Sequence, residues 1–314
     1  PALAEVARSS GRSPLQAFVT VTLRQVRIAA FGGCVLVALY TLSEFGAVSI
    51  MRYETLTKVI YTSYRAAFDR TPAAVLGCVL VAITLIPLWL GVRYTAAGRV
   101  ARVGSGVTHD APTVRLGAWR WPTFGALVLL LVVALGVPLW NVARWARRGS
   151  SSSDLGDVLA AARTTLVLGV VAAGATVVVA LPVAILSARH AGHFSNGVTT
   201  IAYAGHALPG IVVALSLVFF GVRYVTPLYQ RMPMLIAAYV VVFLSLAIGA
   251  IHTSLAQVAP ELEDVARSSG RGPLATWLSV TLPLAAPGIG VAAALVCIAV
   301  MKELPATLLL RPIG

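Results

Sequence analysis

Two nearly identical stretches decide the fold: EDVARSSGRGPLATWLSVTLP at residues 263–283 and AEVARSSGRSPLQAFVTVTLR at residues 4–24. With an offset of 259 positions, residues 1–23 and 260–282 are identical at 14 of 23 sites. The match continues more weakly downstream, where Leu36, Glu44 and Ala47 fall on Leu295, Glu303 and Ala306. The chain therefore contains an internal duplication, in which residues 1–55 correspond to 260–314.

The sequence around the duplication is that of a membrane protein. Hydrophobic residues make up 58% of the chain and charged residues 11%, with a mean hydropathy of +0.88; soluble domains carry about 25% charged residues. We predict an all-α polytopic fold, because lipid admits only helices or closed barrels and strand-like alternation is absent. The predicted spans are roughly 27–50, 73–92, 122–142, 158–187, 198–222, 234–257 and 286–304.

The formal net charge of +13 does not indicate a nucleic-acid partner. The arginines lie in short loops between apolar runs, and we interpret them as anchors at the surface of a lipid bilayer. With the repeated stretches placed inside, 12 of the 24 lysines and arginines fall inside and 12 fall outside or within spans, so charge does not set the orientation. Cys34, Cys78 and Cys297 lie inside apolar runs, which favours small buried thiols over a disulfide framework or a zinc site.

The duplication predicts three regions. Residues 1–93 form the C-terminal part of a first unit, 94–121 a linker, and 122–314 a second unit of five spans. Both copies have the same order of loop and span, so we expect two units related by a pseudo-two-fold axis along the membrane normal. We also expect both ends of the protein to be missing, since a complete duplication would contain about twelve membrane helices.

Each repeated stretch predicts a short helix–turn–helix outside the membrane. Pro260 suits a first helical position, and the acidic residues that follow it favour a helix N-terminus. The glycine of each copy, Gly11 or Gly270, suits a left-handed helix stop, and a proline then opens the second helix. We expect the first helix of the second copy to carry one small-to-apolar face, formed by Leu262, Val265, Ala266 and Ser269.

The spacing of these residues resembles the cytoplasmic coupling loop of binding-protein-dependent ABC importer permeases. Asp264, Val265 and Ala266 are followed by Gly270 after three residues and by a Val-Thr-Leu-Pro sequence after nine more. The first copy fits the same spacing, with Arg24 where the family has proline. The resemblance implies that both loops dock on ATPase subunits, through Glu5, Ala7, Gly11, Asp264, Ala266 and Gly270.

The same resemblance implies two cytoplasmic ABC ATPase subunits, an extracytoplasmic solute-binding protein and a location in the bacterial inner membrane. The chain has only two lysines, Lys58 and Lys302, and neither ends a G-x-x-x-x-G-K-[ST] phosphate loop. We therefore predict that this chain is not an enzyme and has no catalytic residue, cofactor or resident metal. ATP hydrolysis is expected on a partner.

The stretch MKELPATLLLRP at 301–312 resembles a segment of ferric-iron permeases, and SEFGAVSI at 43–50 fits their first half. Ionisable residues in a membrane are usually functional, so we assign four of them to the transport path: Glu44, Lys302, Glu303 and Arg311. Pro305 should break the helix beside Glu303, and Lys302 and Arg311 are expected to pair with it. In the alternative interpretation, Lys302 and Glu303 mark the wetted outer end of a span.

Other assignments stay open. The histidines and the neighbouring proline are weaker candidates for the path or for a metal: His190, His193, His206, Pro209 and His252. A thiamine, polyamine or phosphonate importer is an alternative with a different cargo. An ion-coupled carrier or channel without an ATPase is an alternative of another class, which would leave the duplicated loop without a purpose.

Overall fold

The computed structural model describes residues 2–66, 70–96, 116–148, 155–190, 192, 194–195, 197–198, 200, 205 and 208–312. The described helices are α1 (Ala2–Ser9), α2 (Pro14–Ala17), α3 (Leu23–Ser43), α4 (Gly46–Ile50), α5 (Leu56–Ala66), α6 (Thr71–Ala96), α7 (Arg120–Leu131), α8 (Val137–Arg147), α9 (Leu155–Arg189), α10 (Gly210–Tyr224), α11 (Met232–Leu255), α12 (Pro260–Ser268), α13 (Pro273–Thr276), α14 (Leu282–Lys302) and α15 (Pro305–Leu310). Short π-helical turns at Phe18–Thr22, Val132–Gly136 and Trp277–Thr281 connect α2 to α3, α7 to α8 and α13 to α14.

The chain forms two compact units. The smaller unit consists of Pro1–Gln25 and Val100–Ala162, and the larger unit of Val26–Arg99 and Arg163–Gly314. These units follow packing within the chain rather than the sequence repeat. The domain boundaries predicted from the duplication, at 93 and 121, therefore stay a prediction, and so does the pseudo-two-fold axis.

Among the described residues, five helical stretches are long and apolar enough to cross a membrane: Thr71–Gly91, Gly117–Arg147, Gly156–Arg189, Met232–Leu255 and Pro273–Lys302. Two shorter apolar helices, Ala29–Ser43 and Gly210–Tyr224, correspond to the remaining predicted spans. The prediction of an all-α polytopic membrane protein is confirmed. Each helix satisfies its backbone hydrogen bonds internally, as a bilayer requires.

Three predicted boundaries differ from the structure. The helix in the span predicted at 27–50 ends at Ser43. Two non-helical residues follow it, and α4 begins at Gly46. The span predicted at 198–222 contains a described helix only from Gly210, and 201–204 and 206–207 lie outside the described residues. The predicted linker overlaps the end of α6 at Ala96, and its residues 97–115 lie outside the described part of the chain.

The duplication is preserved residue by residue in the local structure. Helices α3 and α14 each contain 21 residues and start and stop at positions 259 apart. Each is preceded by a five-residue π turn and followed by a break and a further short helix. The two copies thus share the sequence of elements from the repeated stretch to the short helix.

The core of the larger unit is built on the packing of α11 against α14. Small residues allow these helices to approach closely, as is common in membranes: the Ser254 hydroxyl donates to the Ala285 carbonyl oxygen at 3.3 Å. A Cβ atom added at Gly288 would overlap the Ser254 side chain. Tyr239, Ile248 and Ile251 of α11 are buried in the same hydrophobic core.

Helices α7 and α8 and the π turn between them contain no buried side chain. Large apolar residues such as Leu130 project on all faces of α7, and α8 exposes Trp140 beside arginines in its last turn. A helix that is apolar all round requires lipid or other membrane segments around it. Cys34 and Cys78 are likewise exposed on their helices, so the prediction of buried thiols was wrong for both; the three cysteines are free.

The α11–α14 crossing predicts an overpacked variant. Gly288→Ala should lower the midpoint of thermal unfolding in detergent, because it forces a Cβ into Ser254 at a cost of about 1–3 kcal/mol. Adding Ser254→Gly should restore most of the loss. Gly290→Ala is the matched control, since its Cβ would meet no atom within 4 Å. Equal midpoints for Gly288→Ala and Gly290→Ala would show that the helices do not cross at this point.

Candidate functional site

The first and second hairpins, defined as residues 2–22 and 260–281, end their first helices in the same way. Gly11 and Gly270 both have φ of +83°, so the predicted left-handed stop is confirmed. The Gly270 N–H donates to the Arg267 carbonyl at 3.0 Å, and the Arg271 N–H to the Ala266 carbonyl at 3.2 Å. The first hairpin repeats both bonds at equivalent residues with the same lengths. Each hairpin therefore has a complete Schellman motif.

A side-chain bond then fixes the angle between the two helices of each hairpin. The Arg271 guanidinium donates to the Ser279 hydroxyl at 2.7 Å, and Arg12 donates to Thr20 at 3.0 Å in the first hairpin. These donors follow the left-handed glycine directly, and their acceptors lie in the π turn. The polar residues of the repeat thus hold its shape.

The two hairpins expose the same apolar residues. Val6 and Val265 are 59% and 63% exposed, and Leu15 and Leu274 are 73% and 70% exposed. On the face predicted for the first helix of the second hairpin, Leu262 and Val265 are exposed and Ala266 is buried. The two hairpins thus display large apolar side chains in the same pattern at equivalent positions.

The acidic residue predicted to mark the second loop lies outside the buried face. Asp264 is exposed and forms an i,i+3 ion pair with Arg267 at 3.7 Å. Its counterpart Glu5 lies in α1, and its side chain is outside the described part of the structure. Ala7 and Ala266 are buried. The coupling role of these residues remains a prediction.

The buried acid of the second hairpin is Glu263, which the sequence analysis did not assign to the site. Its Oε1 atom lies 2.9 Å from the guanidinium of Arg189, the last residue of α9. The Thr281 hydroxyl donates to the same oxygen at 3.0 Å. Arg189 also donates to the Val258 carbonyl at 3.0 Å. The one signal in the sequence that could have indicated this network is an acidic residue on a helix face that is otherwise apolar and packs inward.

A groove of about 260 Å³ lies beside this network, between the end of α9 and the second hairpin. Arg189, His190, Glu263 and Trp277 are among its lining residues. Within the described residues, the Thr276 hydroxyl and the Trp277 indole nitrogen are buried without a hydrogen-bond partner. The groove thus offers polar contacts to a partner that approaches the hairpin from this side.

The second predicted site centres on Glu303, where the chain leaves α14. The helix ends at Lys302, and Pro305 is the first residue of α15, as the sequence predicts. The Ala306 N–H donates to the Glu303 carboxylate at 3.4 Å, so Glu303 caps α15. A Cβ atom added at Gly210 would lie 2.6 Å from this carboxylate. Glu303 therefore packs directly against the N-terminus of α10, whose partial positive charge favours an anion.

Glu44 occupies the same position in the first copy and has the same local role. The Ala47 N–H donates to its carboxylate at 2.9 Å, and the Thr57 hydroxyl donates to its carbonyl at 2.8 Å. The two glutamates are near enough for their charges to repel each other. Two residues that are 259 positions apart in sequence are thus brought together in one unit.

The structure does not bring the predicted cations to Glu303. Lys302 and Arg311 are exposed, and neither forms an ion pair with Glu303 in the part of the chain that is described, so the expected pairing was wrong. Assignment of Lys302 and Arg311 to the path remains a prediction.

The weaker candidates fall in several places. Pro209 directly precedes Gly210 and so lies beside Glu303, and His190 lines the groove near the second hairpin. His252 lies in α11, whereas His193 and His206 are outside the described residues. Among the residues that were described, no group of three or more His, Cys, Asp or Glu side chains is placed to hold a metal ion.

Comparison with known proteins extends these observations. Residues 180–313 match the family described as the binding-protein-dependent transport system inner membrane component. The Fe(3+)-transport system permease protein FbpB 2 of Haemophilus influenzae is 34% identical over 313 residues, which is 98% of this chain and 62% of that protein. A Streptomyces antibioticus protein named as an ABC transporter permease, ORF1, is 32% identical over 133 residues, which is 42% of this chain and 57% of that protein.

The chain therefore spans less than two thirds of the length of either relative. The family match includes the whole second hairpin, Gly210 and Glu303, and the similarity to FbpB 2 extends across both copies of the repeat. The resemblance recognised from the repeated loops is confirmed, as is the multi-pass location in the inner membrane. Residues 180–313 are similar to the inner membrane components of binding-protein-dependent transport systems.

Proposed function

We propose that this chain is the membrane subunit of an ATP-driven importer, and that its cargo is ferric iron delivered by a solute-binding protein. The observation that carries the proposal is the pair of hairpins, which have the same fold and expose the same apolar residues at positions 259 apart. A transporter driven by two ATPase subunits needs two equivalent docking surfaces. An ion-coupled carrier or channel needs no ATPase subunits and therefore no docking surfaces for them.

The rigidity of the hairpins supports a mechanical role. The Schellman motif and the arginine bonds fix each turn, and the following π turn continues directly into α3 or α14. Movement of a docked ATPase would therefore be transmitted along a membrane helix to the break that follows it. In this way the closure of two ATPase subunits would switch the path between outward and inward access.

The helix interruptions that follow α3 and α14 support a role for Glu44 and Glu303 in the transport path. Glu44 follows α3 and Glu303 follows α14, and the two carboxylates interact through their charges. Ferric iron is a hard cation that prefers oxygen ligands. Two carboxylates suit a transient contact, since a complete ligand cage would trap the ion. The ferric cargo is supported by the similarity to the Haemophilus influenzae relative, which is named as an Fe(3+)-transport system permease protein.

The hairpin geometry predicts that Gly270→Val abolishes ATP-dependent uptake while the protein still reaches the membrane. A left-handed conformation costs a non-glycine residue roughly 1–2 kcal/mol, and a β-branched side chain tolerates it least. Gly11→Val should act in the same way. Uptake and membrane content would be measured in cells that express the complete transporter.

Gly270→Asn is the matched control, because asparagine tolerates the left-handed region and the space around the added Cβ is open. It should retain most of the uptake. Normal transport in both valine variants would show that the hairpin turns do not couple the ATPase to the membrane helices.

The carboxylate pair predicts that Glu303→Gln lowers ferric uptake by about ten-fold, which corresponds to roughly 1.4 kcal/mol on the limiting barrier. Glutamine keeps an acceptor for the Ala306 N–H, so the change removes the charge and preserves the cap. Gly210→Ala should act in the same direction, because it displaces the carboxylate without removing it. Radiolabelled ferric uptake would be compared with thiamine and putrescine uptake in the same cells.

Binding of the loaded solute-binding protein should change much less than uptake in these variants. Normal ferric uptake in Glu303→Gln and in the Glu44→Gln, Glu303→Gln double variant would remove both glutamates from the path. Loss of thiamine or putrescine uptake with unchanged ferric uptake would reject iron as the cargo and favour one of the alternative importers.

A further inference from the structure

The two hairpins present equal surfaces but are attached unequally. The duplication places Ala4 where the second hairpin has Glu263, and Thr22 where it has Thr281. Alanine has no polar side chain, so this position of the first hairpin cannot form the ion pair found in the second. The difference concerns a buried residue rather than the exposed residues that both hairpins share.

The Glu263 network joins four parts of the larger unit. Arg189 stands at the end of α9, and its guanidinium bonds both Glu263 in α12 and the carbonyl of Val258, in the loop that follows α11. The Thr281 hydroxyl donates to Glu263 and so connects the π turn that leads into α14 to the network. Glu263 and Arg189 together therefore tie the second hairpin to the end of α9 and to the loop after α11, and Thr281 links the two halves of the hairpin.

Burial makes this attachment strong. The side chains of Arg189 and Glu263 are only 15% and 10% exposed, so removal of either partner leaves an uncompensated charge away from water. By contrast, the ion pairs of Arg267 lie on a side chain that is 56% exposed, where such pairs contribute little. The network of Arg189, Glu263, Thr281 and the Val258 carbonyl is here called the clasp.

We propose that the clasp makes the second hairpin the rigid lever of the transporter, moving as one body with α9, α11 and α14. The first hairpin lacks the acid on which a clasp depends and follows its ATPase with more freedom. Glu263 and Arg189 are positioning residues, since they set how the docking face is held and do not form that face. This role in coupling rests on the proposed function, whereas the rigidity itself does not.

Amide hydrogen exchange tests the rigidity directly in the complete transporter, reconstituted in nanodiscs with its ATPase subunits. Glu263→Ala, which copies the residue of the first hairpin, should make peptides within 260–281 exchange at least about ten-fold faster. Peptides within 2–22 should be unchanged and serve as the internal reference. Glu261→Ala is the matched control, because Glu261 lies in the same helix and is exposed.

Transport tests the coupling. The ratio of ferric ions imported to ATP hydrolysed should fall about five-fold or more in Glu263→Ala, while hydrolysis itself continues. Arg189→Lys keeps a positive charge beside Glu263 and should retain most of the transport ratio. This result would show that the loss in Glu263→Ala is due to the missing ion pair and not to misfolding. Unchanged exchange in 260–281 of Glu263→Ala would overturn the clasp. So would increased exchange with an unchanged transport ratio, since the lever would then be unnecessary.

The two failures can be told apart. If the wild-type complex imports no cargo on ATP addition, the proposed function is wrong, and the exchange measurement still decides whether Glu263 holds the hairpin. If Glu263→Ala does not assemble, Glu263→Gln supplies the same comparison, because it keeps an acceptor for Thr281 and removes the charge. Exchange in Glu263→Gln that matches the wild type would also reject the clasp.

Discussion

A bilayer requires every backbone polar group within it to be satisfied by the protein, and this constraint shapes the whole chain. Continuous helices meet it without help, but a helix that stops must find other partners for its backbone. At the two equivalent breaks these partners are Glu44 and Glu303, whose carboxylates accept backbone N–H groups of the short helices that follow. Thr57 and Thr307 donate to the carbonyls of the same glutamates. The groups that allow the breaks are thus also the charges proposed for the path.

Much of this architecture follows from the sequence. Apolar runs indicate seven helices, and the paired prolines and glycines predict the hairpin turns and the break at Pro305, because these residues act through their own backbone geometry. The burial of Glu263 could not be predicted, since its partner Arg189 is 74 residues away. Helical periodicity likewise identifies the apolar face that contains Leu262 and Val265, but it does not say whether the same chain or another one covers that face.

The two hairpins of the duplication expose the same apolar residues, but they differ at the buried position from which the second hairpin bonds to Arg189. The bonds that shape the turn of each hairpin are repeated at equivalent residues, which is expected where two equivalent partners must be met. Bonds from the hairpin to the membrane helices are free to differ, and at Glu263 and Ala4 they do. Under the proposed function, a duplicated transporter can in this way bind two identical ATPase subunits and still respond to them differently.

The central claim is that both hairpins contact an ATPase, and site-directed photo-crosslinking tests it most directly. A benzophenone probe would be placed on Val6→Cys or Val265→Cys, after replacement of Cys34, Cys78 and Cys297 by alanine, with the lipid-exposed Leu130→Cys as the control. The account predicts that both hairpin probes crosslink to the ATPase subunit and that the extent changes on ATP addition, whereas the control probe does not crosslink to it. Absence of an ATPase crosslink from both hairpin positions in a transport-competent complex would contradict the account.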